Sequence, residues 1–155
     1  MKKILSLLII TMFLIVGCQK EEFYFKHNGK EMHLNEVFSI SKYGEYQDSF
    51  ETENCALESM VITYFYDGYE INTYNTDNRN NVVYAIYLKD ERIKTTEGIK
   101  LNDKLEDVLK IYGDDYLLKD NKYTYNKGDT SLIFTINDSY VKEIEYRIKG
   151  IFDII

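Results

Sequence analysis

The residues best placed to do chemistry in this chain are Gly17 and Cys18, which follow an apolar run from Ile4 to Val16 that itself follows Lys2 and Lys3. A charged start, an apolar stretch and a small residue ahead of a cut form a secretory signal, and a cysteine directly after the cut suits lipid attachment. Cleavage is therefore expected between Gly17 and Cys18, with a signal peptide over 1–17 and a lipidated tether over 18–22. Ile4 to Val16 is 13 residues long and includes Ser6 and Thr11. A membrane-spanning helix needs roughly 17 to 25 apolar residues, so the run reads as a cleaved signal.

Ile15-Val16-Gly17-Cys18 resembles a lipobox, and that resemblance implies a diacylglyceryl group and an N-acyl chain on Cys18. Each buried methylene contributes about 0.8 kcal/mol, and several acyl chains hold firmly where one holds only marginally. The lipid has to supply the attachment alone. Of 19 basic side chains, Lys2 and Lys3 leave with the signal, so 17 face 26 acidic ones and the formal charge falls from −7 to −9. That balance argues against nucleic acid and against an electrostatic hold on anionic lipid. The expected address is the extracytoplasmic face of the cell membrane, with no cofactor beyond the lipid itself.

Other side chains offer weaker chemistry. His27 and His33 flank the Asn28-Gly29 turn and, with Glu31, offer a metal three ligands; no cysteine or acidic cluster completes the set, so no metal is expected. Asp77, Asn78, Asn80 and Asn81 gather oxygen donors, but their spacing fails the calcium-loop pattern and reads as a polar turn. The serines form no nucleophile elbow, and no glycine-rich phosphate loop exists. With Cys18 acylated, Cys55 has no partner within the chain and is expected as a small buried apolar residue, so the core must do without a disulfide. The 15 tyrosines are the most suggestive group. Alternation along strands distributes their rings between two sheet faces, and Tyr64, Tyr66, Tyr74 and Tyr84, if partly exposed on the outer one, would form a partner surface. The competing expectation is that they pack in the core.

The elements that must position these residues are legible from turns and periodicity. Phe23-Tyr24-Phe25 and Met32-His33-Leu34 flank Asn28-Gly29 as a first hairpin. Asn35 to Lys42 reads as a short helix with Asn35 as a possible N-cap, and Glu45 to Glu58 as a polar, irregular loop pinned by Phe50, Cys55 and Leu57. Met60 to Tyr66, Tyr69 to Tyr74 and Val82 to Leu88 read as a meander, joined by an Asp67-Gly68 hairpin turn and a polar loop over Asn75 to Asn81. Leu105, Val108, Leu109 and Tyr112 fall on one stripe of a helix between Asn102 and Tyr112. Asn102 or Asp103 is expected to cap it, Glu106 to complete a capping box and Gly113 to stop it. Strands resume at Tyr123 to Tyr125, Ser131 to Ile136 and Tyr140 to Ile148, and the apolar ending from Ile151 to Ile155 is expected to pack back on the fold.

The two halves also rhyme. Leu34-Asn35 matches Leu101-Asn102, Tyr43-Gly44 matches Tyr112-Gly113, Tyr64 and Tyr66 match Tyr123 and Tyr125, and Val83 with Ile86 matches Val141 with Ile144. The resulting expectation is an α+β fold of two tandem helix-plus-three-stranded-meander units, 23–94 and 95–155, sharing a core.

On Thr96-Glu97-Gly98-Ile99, Leu101, Glu106-Asp107-Val108, Tyr112-Gly113, Tyr125 and Leu132 to Phe134, the second half resembles uncharacterised lipoproteins of low-GC Gram-positive bacteria. More distantly, the tandem helix-plus-meander is similar to the β-lactamase-inhibitor-protein and outer-membrane assembly lipoprotein group. The resemblance implies a fold and carries no functional residue with it. The expected function is a non-enzymatic binding or interaction module at the cell envelope, engaging a protein or envelope component. The alternatives are an envelope hydrolase using unidentified carboxylates, or an inhibitor of a secreted enzyme.

Overall fold

A computed structural model describes residues 21–55 and 58–151 of the 155-residue chain. The described residues begin with a hairpin, β1 (Phe25–His27) and β2 (Lys30–Met32), then a one-turn helix α1 (Ile40–Tyr43) and four strands: β3 (Asp48–Asn54), β4 (Ser59–Tyr66), β5 (Tyr69–Tyr74) and β6 (Val82–Leu88). A longer helix α2 (Leu105–Tyr112) follows, with four more strands: β7 (Leu117–Lys119), β8 (Lys122–Lys127), β9 (Thr130–Asn137) and β10 (Tyr140–Ile148). The last eight strands form one antiparallel sheet in the order β3-β4-β5-β6-β10-β9-β8-β7. Among the described residues the fold is mainly β, with two short helices.

Turn chemistry sets the registers. Asn28 and Gly29 both take positive φ, 49° and 76°, as a two-residue hairpin turn requires, and this places Phe25 opposite Met32. Asp67-Gly68 sets Tyr66 opposite Tyr69. Gly68 is needed twice over: its φ is 91°, and a Cβ there would come within 2.7 Å of Ile93.

One sheet face carries the core. Ile62, Tyr64, Ile71, Val83, Ile86, Leu132, Phe134, Val141, Ile144 and Tyr146 join Phe25 and Met32 of the hairpin, Tyr43 of α1 and Val108 of α2 in a single apolar cluster. Val108, Phe134 and Tyr146 are fully buried there. The expected stripe on α2 thus faces the sheet, with Leu105, Leu109 and Tyr112 half-buried beside Val108.

The structure corrects several expected boundaries. Asn35 does not cap a helix: it takes φ 62° and its N–H bonds to the Val83 carbonyl at 2.8 Å, so the following residues run along β6 and helix begins only after Ser39. Asn102 behaves alike, with φ 64° and a 2.8 Å bond to the Val141 carbonyl. The N-cap of α2 is Lys104, whose N–H donates to the Asp107 carboxylate at 3.3 Å, and the Asp103 carboxylate instead accepts from the Lys100 N–H. The loop expected before Glu58 contains β3. Paired on one side only and wet on both faces, this edge strand needs no apolar alternation, which is why Asp-Ser-Phe-Glu-Thr-Glu-Asn escaped a strand reading. Each meander therefore has four strands, β7 being the second addition.

Hydrogen bonds recur between the halves where the sequence rhymes. Val83 N–H donates to the Glu36 carbonyl and Val141 N–H to the Asp103 carbonyl, both at 2.8 Å. Phe38 N–H reaches the Asn81 carbonyl and Leu105 N–H the Ser139 carbonyl. The Tyr66 hydroxyl donates to the Gly44 carbonyl and that of Tyr125 to the Gly113 carbonyl. Register shifts fall at matching places too, next to Tyr84 on β6 and at Lys142 on β10.

Candidate functional site

The second face of the sheet is the candidate site, because among the described residues no helix or strand lies over it. Val61, Tyr84 and Ala85 form a small buried cluster there, with Tyr74, Tyr87, Ile148 and Ile151 packed against it. Phe65 is half-buried on the same face, and Phe50 of β3, opposite Thr63, is 61% exposed.

The four tyrosines expected to share a surface are divided between the faces. The two-residue turn at Asp67-Gly68 pairs even-numbered residues of β4 with odd-numbered residues of β5, so Tyr64 stands opposite Ile71 while Tyr74 stands opposite Val61. Tyr64 and Tyr66 consequently point to the helices. Tyr64 is buried with its ring stacked 3.9 Å from that of Phe38, and Tyr66 stacks 4.6 Å from Tyr69. Tyr84 would stand opposite Thr73 on that same covered face, but the register shift between Asn72 and Thr73 turns it to the open one. There it is buried, in edge contact with Tyr74 at 5.7 Å. Of the four, only Tyr66 and Tyr74 are half-exposed, on opposite sides of the sheet.

At the centre of the open face lies a polar network that sequence reasoning missed. Tyr87 on β6 and Glu145 on β10 are cross-strand partners, and the Tyr87 hydroxyl donates to the Glu145 carboxylate at 2.8 Å. Arg147 donates to the same carboxylate twice, from Nε at 2.5 Å and Nη2 at 2.7 Å. Its cross-strand neighbour is Ala85, whose methyl group leaves the guanidinium room to fold back. The Glu145 side chain is 8% exposed and that of Arg147 17%. Burial, then the neighbouring Glu145 charge, holds the Tyr87 phenol well above its ordinary pKa. Burial, the largest single influence, opposes the Arg147 charge, but the hydrogen bonds and charge of Glu145 together with Tyr87 outweigh it and raise the guanidinium pKa. Close by, the Asn72 Oδ1 is the buried side-chain oxygen without a hydrogen-bond partner among the described residues. The signal available in the sequence was Glu145-x-Arg147, an acid and a base two apart on a strand and hence on one face.

Three donors engage the two Glu145 oxygens and hold the side chain in place.

The remaining candidates are dispersed. His33 Nδ1 lies 2.6 Å from a Glu22 carboxylate oxygen, and its Nε2 is 4.0 Å from Glu31. His27 instead packs against Phe25 and Tyr69 and helps to line a cleft of about 470 Å³ with Lys30, Tyr66 and Arg92. No group of three metal-ligating side chains converges among the described residues. In the polar loop, Asp77, Asn78 and Asn80 are exposed, and the Asn81 N–H bonds to the Asn75 side chain. Cys55, expected to be buried, is exposed at the end of edge strand β3, where the sheet offers no second layer to cover it. Gly17 and Cys18 lie outside the described residues, as does Leu57. No described helix is long and apolar enough to cross a membrane.

No protein-family model matches the chain, and no curated protein matches it. Among solved structures it is similar to an extracellular protein containing an SCP domain from Bacillus anthracis str. Ames, with 16% identity and a TM-score of 0.40. The match covers 71% of this chain and 41% of that one, so this chain spans less than half the length of that protein.

Proposed function

We propose that this chain is an exported lipoprotein, anchored through acylated Cys18, whose open sheet face binds a protein or another component of the cell envelope. The observation that carries the binding reading is the sheet's asymmetry. One face is filled by α1, α2 and the β1–β2 hairpin, while the other presents Phe50, Phe65, Tyr74 and Tyr87 on the same side as the Glu145–Arg147 pair. Aromatic residues and Arg are the side chains enriched where proteins meet partners. The matched hydrogen bonds and bulges support reading 23–94 and 95–155 as two tandem helix-plus-meander units sharing one core, each with four strands, in keeping with the resemblance to tandem helix-plus-meander lipoproteins.

Two measurements test this. Cys18→Ser should abolish palmitate labelling and move the protein from the membrane to the soluble fraction; retained labelling refutes the anchor. Photo-crosslinking residues placed at Phe65 and Tyr74 in intact cells should yield the same adduct, with none from Lys110 on the solvent side of α2. Equal adducts from all three positions would refute the open face as the binding surface.

A further inference from the structure

We propose that the end of the sheet at which the tether docks is the bilayer-facing end, and that the start of α2 and the β9–β10 turn point away from the membrane. This rests on the lipidation of Cys18 proposed above; the docking itself does not. Phe23 is buried, its N–H donates to the Thr130 hydroxyl at 2.7 Å, and the Lys127 ammonium lies 5.2 Å from its ring centre. One residue earlier, Glu22 meets His33 at 2.6 Å. The chain is thus held from Glu22 onward, and Cys18 is five residue steps from Phe23, a span of at most about 18 Å even when fully extended.

The docking point defines one end of the molecule. Glu22 and His33 line a cleft with Leu34, Asp129, Thr130 and Ile148, so the beginning of β9 and the close of β10 meet here. Lys149 N–H donates to the Asp129 carbonyl at 2.9 Å. From Thr130, β9 climbs seven residue steps to Asn137, about 24 Å at strand rise. At that far end the Leu105 N–H bonds to the Ser139 carbonyl, which places the start of α2 beside the β9–β10 turn. Held at Phe23, Cys18 falls short of this end and stays with the docking end. The acidic body, formally −9 after cleavage between Gly17 and Cys18, is repelled by anionic headgroups over about a Debye length, roughly 8 to 10 Å, which favours standing over lying. The central strands then run away from the bilayer and the open face looks sideways along it.

The test uses the full lipidated chain in phosphatidylcholine–phosphatidylglycerol vesicles containing a nitroxide-headgroup lipid. In a Cys55→Ser background, a fluorophore is attached at Lys149→Cys or at Glu106→Cys, both exposed positions. Quenching at 149 should exceed that at 106 by at least twofold, and inserting twenty Gly/Ser residues between Cys18 and Glu21 should erase the difference. Equal quenching at the two positions, or a difference that survives the insertion, overturns the orientation. Cys18→Ser should leave neither position quenched and the protein free of vesicles. If it stays bound, the anchoring reading has failed, which is a separate result from equal quenching in an anchored protein.

Discussion

Glu145 sits at 6% exposure with three hydrogen-bond donors aimed at its two oxygens, and the arrangement has a measurable energetic signature. A buried pair is costly to break, because the partner left behind keeps its charge without compensation, whereas replacing both members is often nearly neutral. Glu145→Leu should therefore destabilise the fold by about 3 kcal/mol. The Glu145→Leu/Arg147→Leu double variant should recover much of that loss in urea titration; a double variant as unstable as the sum of the singles would show the pair is not coupled. Sequence made the shared face of these two residues readable but not their burial, since in an acidic chain such a pair ordinarily belongs to solvent. The tyrosines show the same limit from another side. The parity separating Tyr74 from Tyr64 was already implied by a two-residue Asp67-Gly68 turn, but the shift that re-aims Tyr84 has no residue signature.

Elements were legible where one face is wet and the other dry. Stripe and stop signals located α2, and Val108→Asp, which puts an unpaired charge at a fully buried position, should cost several kcal/mol, about 3 or more, in thermal or urea unfolding. Melting unchanged from the parent would mean the helix does not pack on the sheet as described. What escaped was structure without amphipathic contrast: edge strand β3, the three residues of β7, and the extended run after Asn35 that mimics a helix start. The matched tyrosine bonds give a second test at this scale. Tyr66→Phe and Tyr125→Phe each remove one hydroxyl bonded to the carbonyl just beyond a helix, Gly44 and Gly113, and each should cost about 1 kcal/mol. Markedly unequal losses would argue that the two places are not equivalent.

Across the whole molecule, phenols dominate the response to alkali. Nine of the 15 tyrosines, at 43, 64, 66, 69, 84, 87, 112, 125 and 146, have pKa values raised above the ordinary one, with burial the leading cause in each. Tyr69 and Tyr125 are pushed up to about 12. Because the folded state favours the neutral phenol, this contribution to stability is complete below the unfolded value near pH 10 and is lost as pH climbs through the folded values. Stability should stay level from about pH 7 to 9 and then collapse between roughly pH 10 and 12. Phenolate absorbance should rise together with loss of near-ultraviolet dichroism. Smooth ionisation of every tyrosine near pH 10 with the dichroism intact would contradict the packing.

The edge strand β3 has one more consequence at this scale. The backbone groups of its seven residues that point away from β4 make a template on which another strand can form, and anchoring would confine many copies to two dimensions, where encounters are frequent. Asp48, Glu51 and Glu53 lie on that edge without a basic residue among the seven. Two such edges brought to strand spacing, about 4.8 Å, would oppose carboxylate to carboxylate. Like charge therefore opposes pairing of two copies through this edge, and high salt is the condition under which that opposition would weaken.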